Sequence, residues 1–153
     1  MNQKEVLEEA LKIKVDGTFL FDVFQVTYNV FDQSLKGIIK EVNKQEKLVV
    51  VKEALANGRV FPSESYSQYS TMYSVLSKLA NKYNVGIDAI ALAFCLQTVP
   101  VDVVLSGASN VKHVSENILA QNVTLQPSEI VEIEKLKVSP TEYWNERKQL
   151  QWQ

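Results

Sequence analysis

The apolar run 48–51, Leu-Val-Val-Val, limits the fold of this chain more than any other stretch. Its residues do not alternate with polar ones, and such a continuous run is typical of a strand buried on both faces of a parallel sheet. Residues 21–28, rich in β-branched and aromatic side chains, and the short run 103–105 predict two more strands. Segments with helical patterns separate these runs, so the sequence predicts parallel β–α units.

Helices are predicted wherever apolar residues recur at intervals of three and four. The strongest pattern covers 72–83, and Gly86 can cap a following helix over 87–97 that is apolar nearly all round and therefore deeply buried. Further helices are predicted at 3–13, at 35–42, at 111–118 and from residue 127 onward. Residues 61–70 are expected to form an exposed excursion, and residues 141–153 form a tail with two tryptophans that we expect to pack on a neighbouring element.

Length and charge limit the architecture and the partners. We expect 153 residues to form one domain, 1–153, with about three to four parallel strands and flanking helices, because a closed eight-stranded barrel needs about 250 residues. A net charge of −2 predicts no nucleic-acid partner and no membrane patch. Cys95 is the single cysteine and is expected to be an inert core thiol. The first residues show no signal peptide and no long apolar span, so a cytoplasmic location is expected.

A loop of small residues, 106–110, follows the third predicted strand and leads into a helix. Small residues at such a corner let backbone N–H groups approach an anion, which the positive end of a helix dipole also favours. In a parallel α/β protein this corner is where a phosphorylated ligand binds. The alternative is that Gly and Ser only make the turn, and the motif alone does not decide between the two.

Three ordered motifs resemble signatures of the aldo-keto reductases. They are 21–29 (Phe-Asp-Val-Phe-Gln-Val-Thr-Tyr-Asn), 52–58 (Lys-Glu-Ala-Leu-Ala-Asn-Gly) and 106–110 (Ser-Gly-Ala-Ser-Asn) followed by Glu and Asn at 116–117. The run 83–94 is similar to a buried, alanine-rich helix of the same family. Three signatures in the family's order are more specific than any one of them, and together they cover nearly everything from residue 20 to the end.

The resemblance implies a fold and a ligand. The family folds as a (β/α)8 barrel of the TIM type and binds NADP or NAD in extended form at the carboxyl ends of its strands. This chain would be a partial α/β barrel with the sixth, seventh and eighth β–α units and the C-terminal segment. The cofactor-binding residues implied are Gln25 at the nicotinamide carboxamide, Leu55 and Asn57 along the pyrophosphate, and Gly107, Ser109, Asn110, His113, Glu116 and Asn117 at the adenosine and 2′-phosphate end.

The sequence departs from the family pattern where the chemistry takes place. The family's catalytic tetrad of Asp, Tyr, Lys and His belongs to the first half of the barrel, which this chain lacks, and neither Tyr28 nor Lys52 aligns with it. Without that Tyr, hydride transfer has no general acid. Lys52 stands where many members stack a Tyr on the nicotinamide, and His113 replaces a common Arg. The preference between NADP and NAD therefore stays open, and no catalytic residue or metal ligand is assigned.

Several of these residues have structural alternatives. His113 is either a solvent-facing helix residue or a phosphate contact, and the pair 116–117 either braces the helix locally or binds adenine. The pair 52–53 forms either an ion pair at a strand end or part of a cofactor-binding wall. Gln25 is expected to be buried and to need hydrogen-bond partners, which favours a role in lining the site.

Two functions of different classes follow. In the first, the chain is a fragment of an aldo-keto reductase that retains much of a weak or incomplete NADP or NAD site and is inactive in carbonyl reduction alone, acting only with a complementary N-terminal half. In the second, it is a non-catalytic family member that binds, regulates or acts as a scaffold. A third alternative is an unrelated half-barrel that binds phosphate. In each case unpaired strand edges and an apolar inner face favour self-association or a partner.

Overall fold

A computed structural model describes residues 3–150, which form an α/β chain of seven α-helices and five strands. In order these are α1 (Gln3–Ala10), β1 (Lys14–Val15), β2 (Thr18–Phe19), β3 (Val23–Thr27), α2 (Lys36–Lys44), β4 (Leu48–Lys52), α3 (Ser70–Tyr83), α4 (Ile87–Thr98), β5 (Val103–Val104), α5 (Val111–Asn117), α6 (Pro127–Glu134) and α7 (Pro140–Lys148). Helices therefore alternate with strands from β3 to α5, as predicted.

Strands β3, β4 and β5 form a parallel sheet in chain order. Gln25 pairs with Val50 in the register of β3 and β4, and Val50 pairs in turn with Val103 of β5. Because all three strands run in the same direction, their carboxyl ends meet at one edge of the sheet. The three strands described here do not close into a barrel.

A short antiparallel hairpin of β1 and β2 precedes the sheet. The sequence predicts only a break at residues 15–17, whereas the structure has a two-residue turn at this point. Asp16 and Gly17 have φ values of 50° and 82°, the pair of positive values that a type I′ hairpin turn requires. Asp-Gly is the dipeptide that favours this turn, so the signal was present in the sequence.

One face of the parallel sheet is buried, and the other is exposed at its amino end and buried at Thr27. Alternate residues of β3 and β4 belong to the main core and are at most 5% exposed: Phe24, Val26, Val49 and Val51. On the opposite face Val23, Leu48 and Val103 are 52%, 50% and 46% exposed. We call this surface, defined by these three residues, the open face. The expectation that run 48–51 is buried on both sides is wrong, because no element of residues 3–150 covers the open face.

Helix α4 is buried nearly all round, which confirms the prediction for 87–97. Residues 88–95 are at most 6% exposed. Phe94 stacks on Tyr28 with ring centroids 6.0 Å apart, and the Cys95 thiol lies 3.5 Å from the Tyr28 carbonyl oxygen. Burial raises the pKa of Cys95 to about 12. This cysteine is therefore an unreactive core thiol at neutral pH.

The predicted excursion at 61–70 and the C-terminal tail, which we expected to pack on a neighbouring element, both contribute side chains to the core. Residues 61–70 contain a 3₁₀ segment, and Tyr69 at its end is 6% exposed with its ring centroid 4.6 Å from that of Phe31. In α7, Tyr143 is fully buried, and the indole N–H of Trp144 donates to Asp32 at 3.2 Å. The second tail tryptophan, Trp152, lies outside the described residues. None of the helices in residues 3–150 is long and apolar enough to span a membrane.

Candidate functional site

A cavity of about 700 Å³ opens at the carboxyl ends of β4 and β5. This volume lies within the range of small-molecule and cofactor sites. Seven of the nine predicted cofactor-binding residues line it: Leu55, Asn57, Gly107, Ser109, His113, Glu116 and Asn117. They come from the two loops that leave the strands and from α5, so the chain brings together residues that are about fifty positions apart in the sequence.

Two of the predicted residues do not line the cavity. Gln25 is exposed in the middle of β3, on the side of the sheet that carries the open face, and the expectation that its amide is buried is wrong. Asn110 is the N-cap of α5, and its Oδ1 accepts a hydrogen bond from the His113 backbone N–H at 3.0 Å. Asn110 therefore caps α5, which carries His113, and does not itself line the cavity.

The loop after β5 is held by local hydrogen bonds. Asn117 is 6% exposed, and its Nδ2 donates to the Ser106 carbonyl oxygen at 3.3 Å, so this residue braces the loop. Gly107 has a φ of 63°, which glycine adopts without strain. His113 is exposed, and its Nδ1 lies 3.3 Å from the Ser109 hydroxyl oxygen. Helix α5 has only seven residues, and its N-cap already satisfies one of its free N–H groups, so the expected anion attraction of its dipole is small.

The loop after β4 is unusual in its backbone conformation. Glu53, Ala56, Asn57 and Gly58 all have positive φ, with values of 56°, 49°, 54° and 85°. For residues with a Cβ this conformation is uncommon and persists only where the surroundings hold it. Leu55 and Asn57 of this loop face the cavity, so a strained segment forms one wall of the candidate site.

The neighbouring charges at the end of β4 do not pair with each other. The Glu53 carboxylate accepts hydrogen bonds from Arg147 and from the Tyr143 hydroxyl. Burial alone would raise the pKa of Glu53, but these contacts and the positive charges of Arg147 and Lys52 hold the pKa below its usual value. Lys52 lines the cavity and forms no ion pair within 4 Å among residues 3–150. The alternative of a 52–53 ion pair is therefore wrong, and the wall interpretation stays a prediction.

A polar network supports this wall, and no pattern in the sequence predicts it. It joins α7 to the loops after β3 and β4 through buried or half-buried side chains: Asn29, Glu53, Arg59, Tyr143, Glu146 and Arg147. Three members lie on α7 and the other three on the loops after β3 and β4, so no local motif connects the network. The spacing of Tyr143 and Arg147, four residues apart on one helix, is the one sequence signal that could have suggested a shared partner.

The described residues hold no group of three or more His, Cys, Asp or Glu side chains close enough to bind a metal ion.

A model of the aldo/keto reductase family matches residues 3–138, which is most of the chain. The chain belongs to this family. The motifs around the cavity are thus those of an aldo/keto reductase, as the resemblance implied.

This chain matches each of the following relatives over only part of the relative's own length. Norsolorinic acid reductase B of Dothistroma septosporum is 36% identical over 77 residues, which are 50% of this chain and 19% of the relative. The apo form of aldo-keto reductase AKR11C1 from Bacillus halodurans has a TM-score of 0.67 at 23% identity over 87% of this chain and 47% of its own. A variant of Gox0644 in complex with NADPH has a TM-score of 0.60 at 18% identity, over 80% of this chain and 40% of its own.

These structures share the fold, which confirms an α/β partial barrel of the TIM type for this chain. The chain spans less than half the length of the solved structures named here and about a fifth of the curated relative. The open face is thus a surface of a partial barrel whose remaining strands are not among residues 3–150.

Proposed function

We propose that this chain provides the cofactor-binding part of an NADP- or NAD-dependent aldo-keto reductase and does not reduce carbonyl compounds by itself. The observation that carries the proposal is the cavity at the carboxyl ends of β4 and β5, because seven residues implied by the family motifs line it together. A cytoplasmic location belongs to the same proposal.

The residues present fit a nicotinamide cofactor. Leu55 and Asn57 offer an apolar surface and an amide on one wall, and Ser109 and His113 offer hydrogen-bonding groups on the other. The Lys52 ammonium has no ion-pair partner within 4 Å among residues 3–150, and its positive charge suits a ligand with phosphate groups; the carboxylates of Asp88 and Glu116 line the same cavity. When bound, the cofactor supplies the hydride; these side chains would hold and orient it.

The second half of the proposal is supported by the type of residues that line the cavity, because the resemblance implies a tyrosine as the general acid. No tyrosine is among the described residues that line the cavity. Tyr28 is fully buried with its hydroxyl 3.0 Å from that of Thr98, and burial raises its pKa. Tyr143 donates to Glu53, and burial raises its pKa as well. Neither phenol is placed to protonate a carbonyl in the cavity.

A complementary N-terminal half is the partner that this proposal calls for. The open face exposes apolar side chains, and the solved relatives are about twice as long as this chain. Self-association through the same face is the alternative partner. The choice between NADP and NAD is left to measurement, because His113 stands where an Arg is common and is exposed.

The test is a fluorescence titration of the purified chain with NADPH and with NADH, repeated with a carbonyl substrate present. We expect binding with a Kd on the order of 100 µM or weaker and no turnover. Adding an N-terminal half of a family member should tighten binding and restore turnover. Robust reductase activity of the chain alone would contradict the proposal.

A non-catalytic binding, regulatory or scaffold protein is the second candidate. The missing acid in the cavity and the exposed apolar face are as compatible with this role as with the first. The two are distinguished by the same titration with the complementary half present, because a scaffold would associate with a partner without gaining turnover.

A further inference from the structure

We infer that helix α7 is a positioning element of the cavity, with Arg147 as the residue that holds segment 53–57, which includes the left-handed residues Glu53, Ala56 and Asn57, in the conformation that forms the wall. The inference rests on the proposed function in taking the cavity as a cofactor site. It goes beyond that function because none of the implied cofactor-binding residues lies on α7, and Arg147 itself does not line the cavity.

The first anchor is a two-pronged ion pair between Arg147 and Glu53, the first residue of the segment. Arg147 Nε lies 2.8 Å and 2.9 Å from the two carboxylate oxygens, and its Nη2 lies 2.5 Å from Oε1. The side chains of Glu53 and Arg147 are 10% and 26% exposed, so water screens this pair only in part. Charge-assisted bonds with this fork geometry are among the strongest side-chain contacts in proteins.

The second anchor fixes Glu53 from the opposite side. The Tyr143 hydroxyl donates to Glu53 Oε2 at 3.2 Å and accepts from Asn29 Nδ2 at 2.9 Å. The same Nδ2 group donates to the Glu53 backbone carbonyl oxygen at 3.0 Å. Both the side chain and the backbone of Glu53 are therefore tied to α7 and to the loop after β3.

The far end of the segment is connected to the same helix through Arg59. This side chain is 2% exposed, and its Nε donates to the Ala56 carbonyl oxygen at 3.0 Å. Its guanidinium lies 4.2 Å from the ring centroid of Tyr143 and donates to Glu146 at 3.0 Å. Helix α7 thus contacts the segment near both ends.

These contacts explain why the segment keeps its backbone conformation. Glu53, Ala56 and Asn57 have φ values near +50°, which cost energy and relax unless neighbouring groups hold them. Because Leu55 and Asn57 face the cavity, a relaxed segment would change the shape of the site.

The ion pair also affects the charge next to Lys52, which shares the cavity lining with Glu53, Asp88 and Glu116. Glu53 is next to Lys52 in the chain, and its carboxylate is directed to Arg147, which leaves the Lys52 ammonium without an ion-pair partner within 4 Å in residues 3–150. Without Arg147 the carboxylate is free to pair with Lys52 and to cancel that charge. Arg147 thereby acts on ligand affinity through two other residues.

The experiment compares Arg147→Met with Lys148→Met in the full chain. Lys148 is the next residue of α7 and is exposed, so its variant removes the same charge without breaking the network. Amide hydrogen exchange without ligand is measured for 54–58 and, as a check on global folding, for α4. We expect exchange in 54–58 to be about 10- to 100-fold faster in Arg147→Met, with α4 unchanged, and wild-type rates in Lys148→Met.

NADPH titration of the same variants gives the second readout. We expect weaker binding for Arg147→Met than for Lys148→Met, and an intermediate value for Arg147→Lys, which keeps the charge and loses the fork. Arg147→Lys also replaces Arg147→Met in both measurements if the latter loses protection in α4. Equal exchange in 54–58 for the Arg147 and Lys148 variants would overturn the inference. So would faster exchange with unchanged NADPH binding. A wild-type chain that binds no NADPH would overturn the proposed function, while the exchange data still decide whether α7 holds the segment.

Discussion

Thr27 and Lys52 are register partners at the last positions of β3 and β4, yet only Lys52 reaches the cavity. Thr27 is fully buried, whereas Lys52 is half-buried at the strand end from which the wall segment starts. Lys52 therefore lies where the sheet and the cavity meet, and its charge is the simplest feature of the site to test.

Replacing this charge should weaken the binding of a phosphorylated ligand. We expect Lys52→Met to raise the Kd for NADPH by about three- to tenfold, because a partly solvated charge contributes about 1 kcal/mol. Lys40→Met is the matched control, since Lys40 is exposed on α2 and does not line the cavity. The difference between the variants should shrink at high salt. Equal Kd values for the two variants would show that Lys52 does not contact the ligand.

Acid should remove the stabilisation that Glu53 provides. Burial opposes ionisation, but Arg147, the Tyr143 hydroxyl and the charge of Lys52 outweigh it, so the pKa of Glu53 is lowered from 4.5. A lowered folded-state pKa gives stability that is complete above the ordinary value and is lost as the pH falls through the folded-state value.

Urea denaturation of Glu53→Gln at several pH values measures this contribution. We expect the variant to be about 1–3 kcal/mol less stable than wild type at neutral pH, and the difference to decrease below about pH 4.5. Glu142→Gln, which changes an exposed carboxyl on α7, the helix that carries Arg147, is the control and should change little. A difference that stays constant down to about pH 3 would mean that packing, and not charge, is responsible.

The open face should drive self-association of the isolated chain. Leu48→Lys places a charge on this face, at the amino end of the central strand β4, and we expect it to lower the apparent mass in light scattering at high protein concentration. Val131→Lys is the control, because Val131 is 45% exposed on α6, away from the sheet, and Leu48 is 50% exposed. A wild-type chain that is monomeric at every concentration would contradict this prediction, as would identical behaviour of the two variants.

The parts of the fold that depend on local periodicity could be predicted from the sequence. Helices α3 and α4 lie where apolar spacing placed them, and their burial follows from that spacing. The prediction that run 48–51 is buried on both faces is wrong. Such an apolar run suits a strand of a complete barrel, whereas residues 3–150 cover this run with helices on one face only. The hairpin at Asp16 and Gly17 was missed although its turn dipeptide is present.

Some residues of the candidate site could likewise be predicted from the sequence, and others could not. Residues in short motifs, such as Asn57 and Ser109, lie together because the ends of parallel strands bring them together. Gln25 is exposed because its side of the sheet is uncovered. The pair of Glu53 and Arg147 could not be predicted, since 94 positions separate the residues and only the packing of α7 brings them into contact.

The two edges of the parallel sheet are unlike each other: β3 has five residues and β5 has two. A copy of the chain that continues the sheet with all strands parallel must place its β3 against the β5 of its neighbour. Such an interface joins different surfaces, so each added copy leaves one edge of each kind exposed. The assembly closes into a ring only if the rotation between successive copies completes a full circle, and otherwise it grows as a filament. The twist of the sheet would then decide whether the assembly is a ring or a fibre.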